Sequence, residues 1–184
     1  MATIKVYTEE TPNPATRKFL VNKLLINGSQ DYPDVASAQA SPFASELFKF
    51  NFVQGVFFAS NFVTITKTPD SAWEDIIDIL KEFVRGAVES ELLIKEVAHD
   101  ANVVFEGTET EQKIQQILHD YVAPAVEQDG GAIAFQSYVD GVVTVELRGS
   151  CSGCPSSIYT LKAGIEGLLK RMVPEVNEVV ADAM

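Results

Sequence analysis

The strongest structural signal lies in Val142-Val143-Thr144-Val145-Glu146-Leu147-Arg148-Gly149-Ser150-Cys151-Ser152-Gly153-Cys154-Pro155-Ser156-Ser157-Ile158. Its first seven residues are β-rich, and Val143, Val145 and Leu147 alternate onto one face, as in a half-buried strand. Gly149 and Gly153 let the backbone bend tightly. Proline is favoured at the first helical position, so Pro155 predicts a helix start with Cys154 as its N-cap. The stretch reads as strand, glycine-rich loop, helix.

Its flanks extend this pattern. Asp140-Gly141 between two β-rich runs predicts a hairpin, with Ile133 to Tyr138 as the partner strand. Before Gly130-Gly131, Ile114, Ile117, Leu118, Tyr121, Val122, Ala125 and Val126 follow helical spacing. Thr108 and Glu111 have capping-box spacing at its start, and Pro124 is expected to shorten or kink the helix. Downstream, Ile158, Leu161, Ile165, Leu168, Leu169 and Met172 mark a second helix, closed by Pro174. Val176, Val179 and Val180 suggest a last strand. Residues 110–184 thus read as an α-β-β-α-β domain with a three-stranded sheet and two helices.

The first half reads as a separate small domain, residues 1–97. Strands are expected at 4–10 and 17–23, divided by Thr11-Pro12-Asn13-Pro14, because proline fixes φ and removes a donor. Ser41-Pro42 begins a short helix that runs to about Phe50. Residues 53–59 and 62–67 form a hairpin around Ser60-Asn61. Ser71 and Glu74 have capping-box spacing ahead of a helix with Ile76, Ile77, Leu80, Phe83 and Val84 on one face and Asp75, Asp78 and Glu82 on the solvated one. Phe48, Phe50, Phe52, Phe57, Phe58 and Phe62 are read as core, although period two leaves room for half of the hairpin aromatics to be exposed. Periodicity fails between Ala98 and Glu109, so 98–109 is read as a linker, within which Val103-Val104-Phe105 could dock. The fold class is α+β, two small α/β domains.

Composition excludes several functions. The chain has 184 residues, 46% hydrophobic and 22% charged, with a net charge of −12. That is a globular composition, neither disordered nor collagen-like. The acidity argues against nucleic-acid binding. Residues 1–98 carry 13 acids and 9 bases, and residues 99–184 carry 13 and 5, so the two parts are at −4 and −8. No apolar run exceeds four residues, so no membrane-spanning helix is expected. Met1 to Val6 lacks the apolar stretch of a signal peptide, and a cytoplasmic protein is expected.

The two cysteines, Cys151 and Cys154, are the only ones in the chain, which excludes a disulfide framework. A helix N-terminus and the nearby Arg148 favour thiolates. The loop is therefore expected to hold two ionised, fairly exposed sulfurs close together. Two merely structural thiols fit a glycine-rich loop poorly. A redox dithiol stays open, because thioredoxin-like proteins also place Cys-x-x-Cys at a helix start, although the element order here differs. Structural zinc needs four protein ligands, and His99 and His119 lie 52 and 32 residues before Cys151 in unrelated settings. An iron–sulfur cluster commonly uses four cysteines, and two copies of this loop supply four. No general acid–base pair, Ser-His-Asp set or phosphate loop is evident, so no catalytic turnover is expected.

Asp129-Gly130-Gly131, the Cys151-x-x-Cys154-Pro155-Ser156-Ser157 run and Thr160-Leu161-Lys162-x-Gly164-Ile165-Glu166 resemble the C-terminal domain of NifU, the Nfu-type scaffold domain. Thr11 to Pro14, Lys18-Phe19-Leu20, Ser41 to Ala44, Leu47-Phe48 and Gly55 to Phe58 resemble the Nfu N-terminal domain. The resemblance implies a scaffold or carrier, not an enzyme. It would bind a 4Fe–4S cluster through Cys151 and Cys154, shared between two protomers of a homodimer. It would serve apo iron–sulfur proteins downstream of other assembly proteins. The alternative is a dithiol–disulfide oxidoreductase using the same two cysteines.

Overall fold

In the computed structural model, residues 3–92, 94, 105–152 and 155–183 are described. The chain divides into two compact units, Met1–Ala101 and Asn102–Met184.

The first unit is a five-stranded antiparallel sheet backed by helices. The strands are β1 (Val6–Glu10), β2 (Thr16–Val21), β3 (Ser29–Tyr32), β4 (Val53–Ala59) and β5 (Phe62–Lys67), in the order β1-β2-β5-β4-β3. The β1–β2 turn is built on Asn13, whose carbonyl accepts from the Thr16 amide at 2.9 Å. Trp73 Nε1 reaches back to the Pro14 carbonyl at 2.9 Å and anchors the turn. Helix α1 (Pro42–Leu47) starts as expected, with the Ser41 hydroxyl accepting from the Ala44 amide.

Helix α2 (Trp73–Glu89) buries Trp73, Ile76, Leu80, Val84, Ala87 and Val88. Its start differs from expectation. Ala72 is the N-cap, with no side-chain cap, and Ser71 instead meets the Thr68 hydroxyl at 3.0 Å. Strand β3 has no counterpart in the sequence reading. Ser29-Gln30-Asp31-Tyr32 lacks apolar alternation, and as an edge strand it needs only Tyr32 in the core. The hairpin aromatics also depart from a half-exposed pattern. Phe58 meets Phe43 in the core at 5.0 Å, while Phe57, pointing to the opposite face, meets Phe62 at 6.2 Å, and all four rings are buried.

The second unit has the expected α-β-β-α-β order. Helix α3 (Glu109–Ile117) opens with a complete capping box between Thr108 and Glu111. Thr108 therefore already belongs to a helix start rather than a linker. Residues 98–104 of the expected linker, with His99, Val103 and Val104, lie outside the described residues. A π turn, Leu118–Val122, separates α3 from α4 (Ala123–Gln128). Pro124 has no N–H to give to the preceding turn, and the wider turn accommodates that loss. The extra residue rotates the downstream face. Val122 and Val126 are buried, whereas Tyr121 and Ala125, expected on the apolar face, are exposed.

Strands β6 (Gly131–Val139) and β7 (Val142–Gly149) form the hairpin. Asp140 and Gly141 have φ of 51° and 84°, the two positive angles of a type I′ turn. Helix α5 (Pro155–Met172) crosses over to β8 (Glu178–Ala183), which pairs parallel to β7. Val143, Val145 and Leu147 face a core completed by Ile114, Ile165, Leu169 and Val179.

Candidate functional site

The β6–β7 ladder ends on two glycines, Gly131 opposite Gly149, with only Ser150 between Gly149 and Cys151. Gly149 has φ of 66°, a conformation glycine adopts without strain, and it turns the chain out of the strand. Its carbonyl accepts from the Ser152 amide at 3.1 Å and the Ser152 hydroxyl at 2.8 Å, closing a tight turn around Ser150 and Cys151. Ser150 ties this turn to the end of α4. Its amide donates to the Gly130 carbonyl at 3.3 Å and its hydroxyl to the Asp129 carbonyl.

Cys151 differs from expectation. It is only 6% exposed and packs into the core of the second unit. Burial pushes its thiol pKa up, Asp129 adds to that, and the Ser150 hydroxyl at 3.8 Å opposes it. Two features absent from the cysteine spacing cause this. A β-carbon on Gly131 would lie 2.9 Å from Cys151 Sγ and 2.6 Å from the Arg148 carbonyl, so only a glycine here leaves room for the thiol. Ser150 then fixes which way the loop turns. Gly153 and Cys154 lie outside the described residues, while Pro155 begins α5 as expected.

Arg148 engages Glu146. It lies on the sheet face opposite the core and forks onto Glu146, with Nε at 2.7 Å and Nη2 at 3.0 Å. Gln136 completes the cluster by donating to the same carboxylate. Arg148 holds the Glu146 carboxyl below the usual range despite its burial at 7% exposure. A depressed folded-state pKa gives stability that is present above the ordinary glutamate range, about 4.3, and lost as pH falls through the folded value. Glu146→Gln is therefore expected to lower the stability of this unit by about 1–3 kcal/mol at pH 7. Urea unfolding across pH checks it, since the gap between variant and parent should narrow as pH falls below the ordinary glutamate range and through the lower folded value. An unchanged gap there would refute the ion-pair account.

His119 is exposed, 2.9 Å from Asp120, with its ring 6.1 Å from that of Phe105. Among the described residues, no three His, Cys, Asp or Glu side chains converge as a metal site. Cys151 is the described soft donor, placed where a strand, a glycine turn and a helix start converge.

Comparison with known proteins agrees with this layout. Residues 6–91 match the family described as scaffold protein Nfu/NifU N terminal, and residues 114–180 match the NifU-like domain. A Drosophila willistoni protein named NFU1 iron-sulfur cluster scaffold homolog, mitochondrial, is 37% identical over 185 residues, covering 96% of this chain and 63% of the relative. The protein of the same name from Drosophila persimilis is 38% identical over 179 residues, covering 95% and 64%. The chain thus spans a little under two thirds of the length of these relatives. A solution structure of a NifU-like protein from Saccharomyces cerevisiae aligns at 18% identity and a TM-score of 0.44, covering 52% of this chain and 87% of that one. The mitochondrial names overturn the cytoplasmic expectation. That expectation rested on the missing apolar stretch, a feature of secretory signals only, since mitochondrial targeting segments are amphipathic instead. With both family domains present in order along one chain, this protein belongs to the Nfu/NifU family.

Proposed function

We propose that this chain is an iron–sulfur cluster carrier rather than an enzyme. It binds a 4Fe–4S cluster as cargo through Cys151 and Cys154 of two copies and passes it to apo-proteins, acting in mitochondria as the names of its relatives indicate. Cys151 supports the reading most directly. It sits on a glycine-built turn whose shape depends on hydrogen bonds from Ser150 and Ser152, within the stretch that matches the NifU-like domain.

The raised pKa of Cys151 fits a carrier better than a dithiol oxidoreductase. An attacking thiol needs thiolate character, and burial removes it. A protonated, buried thiol resists oxidation while the site is empty. Metal ligation requires deprotonation, so loading is coupled to proton release at Cys151. Release to an acceptor proceeds by exchange, as incoming thiolates replace these ligands one at a time. Two cysteines per chain leave each protomer a poor holder alone, which favours hand-over once the pair opens.

Anaerobic reconstitution with iron and sulfide tests the reading. The expected product is brown, with about two irons per chain. Sedimentation should show monomers without iron and dimers after loading, reversed by an iron chelator. The glycine-rich loop offers little apolar area to hold a dimer unaided, and the −8 charge of residues 99–184 adds repulsion. A loaded monomer with four irons per chain would rule out the shared cluster, and a colourless protein would rule out the carrier.

A further inference from the structure

We propose that the cleft between the free edge of β1 and the flank of α2 docks an extended acidic segment of a partner protein, which adds a strand to the sheet. β1 is an end strand. Its register pairs Tyr7 with Leu20 and Glu9 with Lys18. Val21 directs its own backbone groups to the other side, donating to the Asn61 carbonyl at 2.8 Å and accepting from Asn61 Nδ2 at 3.1 Å. Backbone groups alternate along a strand, so Leu20 and Lys18 serve Tyr7 and Glu9. Lys5 obeys the same parity, its amide donating to Asn22 Oδ1 at 2.8 Å. The amides and carbonyls of Val6 and Thr8 therefore point outward, where no strand lies beside them among the described residues. Such an edge is a template for an added strand.

The edge borders a cleft of about 670 Å³, floored by one flank of α2 with Asp78, Lys81, Glu82 and Arg85. Charge selects the occupant. Of the eight lysines and arginines between residues 3 and 92, five form ion pairs: Arg17, Lys18, Lys23, Lys49 and Arg85. Lys67 donates to the Thr68 carbonyl at 3.3 Å. Lys5 and Lys81 have neither kind of partner among the described residues, and both line this cleft. Glu82 is already engaged by Arg85. Asp78 is the one uncommitted carboxylate of the lining, so the two ammonium groups leave the cleft at +1 on a chain of net charge −12, and with the open strand edge beside them they favour a carboxylate-bearing segment.

Alternation fixes how it would lie. Ile4 and Val6 turn to the core, while Lys5 and Tyr7 are exposed on the other face. One row of the incoming side chains meets Lys5 and Tyr7, and the other meets Lys81. A second copy of β1 is a poorer occupant, because its Glu9 and Glu10 are held by Lys18 and Arg17.

The docking is independent of cluster binding and is measured on the full chain without iron. The probe is a capped, fluorescein-labelled decapeptide of sequence Glu-Glu-Val-Val-Glu-Glu-Val-Val-Glu-Glu, which places carboxylates in both rows, with a lysine-for-glutamate peptide as control. Saturable binding that weakens with salt is expected, with slowed amide exchange at Val6 and Thr8. The exposed-site variants Lys81→Glu and Lys5→Glu/Lys81→Glu should each stay folded by circular dichroism, the double variant losing at least tenfold in affinity. Equal binding of the lysine peptide, unchanged affinity of either variant, unslowed amides or no saturation by millimolar peptide would each overturn the proposal. So would a metal-free dimer that the Lys5 change dissolves, since that would make the edge a self-pairing surface.

Discussion

Cys151→Ala is expected to abolish cluster uptake and also to lower the stability of the second unit by about 1 kcal/mol. The first effect follows from the ligand role proposed for Cys151. Each protomer would bring one thiolate instead of two, and a pair of chains would hold two of the four bonds that a cluster needs. The second effect follows from burial. The residue is 6% exposed and packs into the core of the unit, so removing its sulfur leaves a small cavity of the kind that costs about 0.5–1.5 kcal/mol. Iron content after reconstitution and urea unfolding of the metal-free protein separate the two effects. Cys154→Ala should lose iron equally. Normal iron in either variant would remove that residue from the ligand set. An unchanged urea midpoint for Cys151→Ala would contradict its packing into the core.

The order of elements in the second unit was legible because each boundary has a local cause. Asp140-Gly141 supplies positive φ at both turn positions, Thr108 and Glu111 cap reciprocally, and Pro155 has the fixed φ a helix start uses. What escaped the reading depends on non-local packing. The π turn before Pro124 moves Tyr121 out of the apolar face, which a fixed 3.6-residue period cannot anticipate. Strand β3 forms because β4 offers an edge to it, not because Ser29-Gln30-Asp31-Tyr32 is β-rich. Ser71 has the right spacing to Glu74, but the Thr68 hydroxyl claims its side chain.

The candidate site shows the same division. The cysteine motif and its helix start were visible, whereas the environment of Cys151 was not. The helix start at Pro155 and the nearby Arg148, both local in sequence, point to an exposed thiolate. The structure puts Arg148 on Glu146 and buries Cys151 against residues 20 positions earlier, around Asp129 to Gly131. A double glycine after a helix reads as a stop signal, and one of the two does serve so, Gly130 having φ of 84°. Gly131 has no positive φ to explain it. Its reason is space, and only the hairpin register that places it opposite Gly149 reveals this.

Gly131→Ala is accordingly expected to be among the most damaging single changes in the second unit. The added β-carbon would meet the Arg148 carbonyl at 2.6 Å and Cys151 Sγ at 2.9 Å, both closer than carbon contacts allow. The backbone oxygen belongs to the β6–β7 ladder and cannot swing aside, so the thiol side must yield or the ladder must open. Overpacking of this kind costs about 1–3 kcal/mol. If the ladder holds, Cys151 is driven out of its pocket, desolvation no longer raises its pKa, and it reacts faster with a thiol reagent at neutral pH. If the ladder opens, the urea midpoint falls and the reactivity of Cys151 rises with the unfolded fraction. Gly164→Ala is the control, since a β-carbon there meets nothing within 4 Å and alanine raises helix propensity. Its midpoint should stay level or rise slightly, with thiol reactivity unchanged. A Gly131→Ala protein as stable as the parent, with Cys151 equally slow to react, would show that the close approach of Gly131 does not hold the cysteine in place.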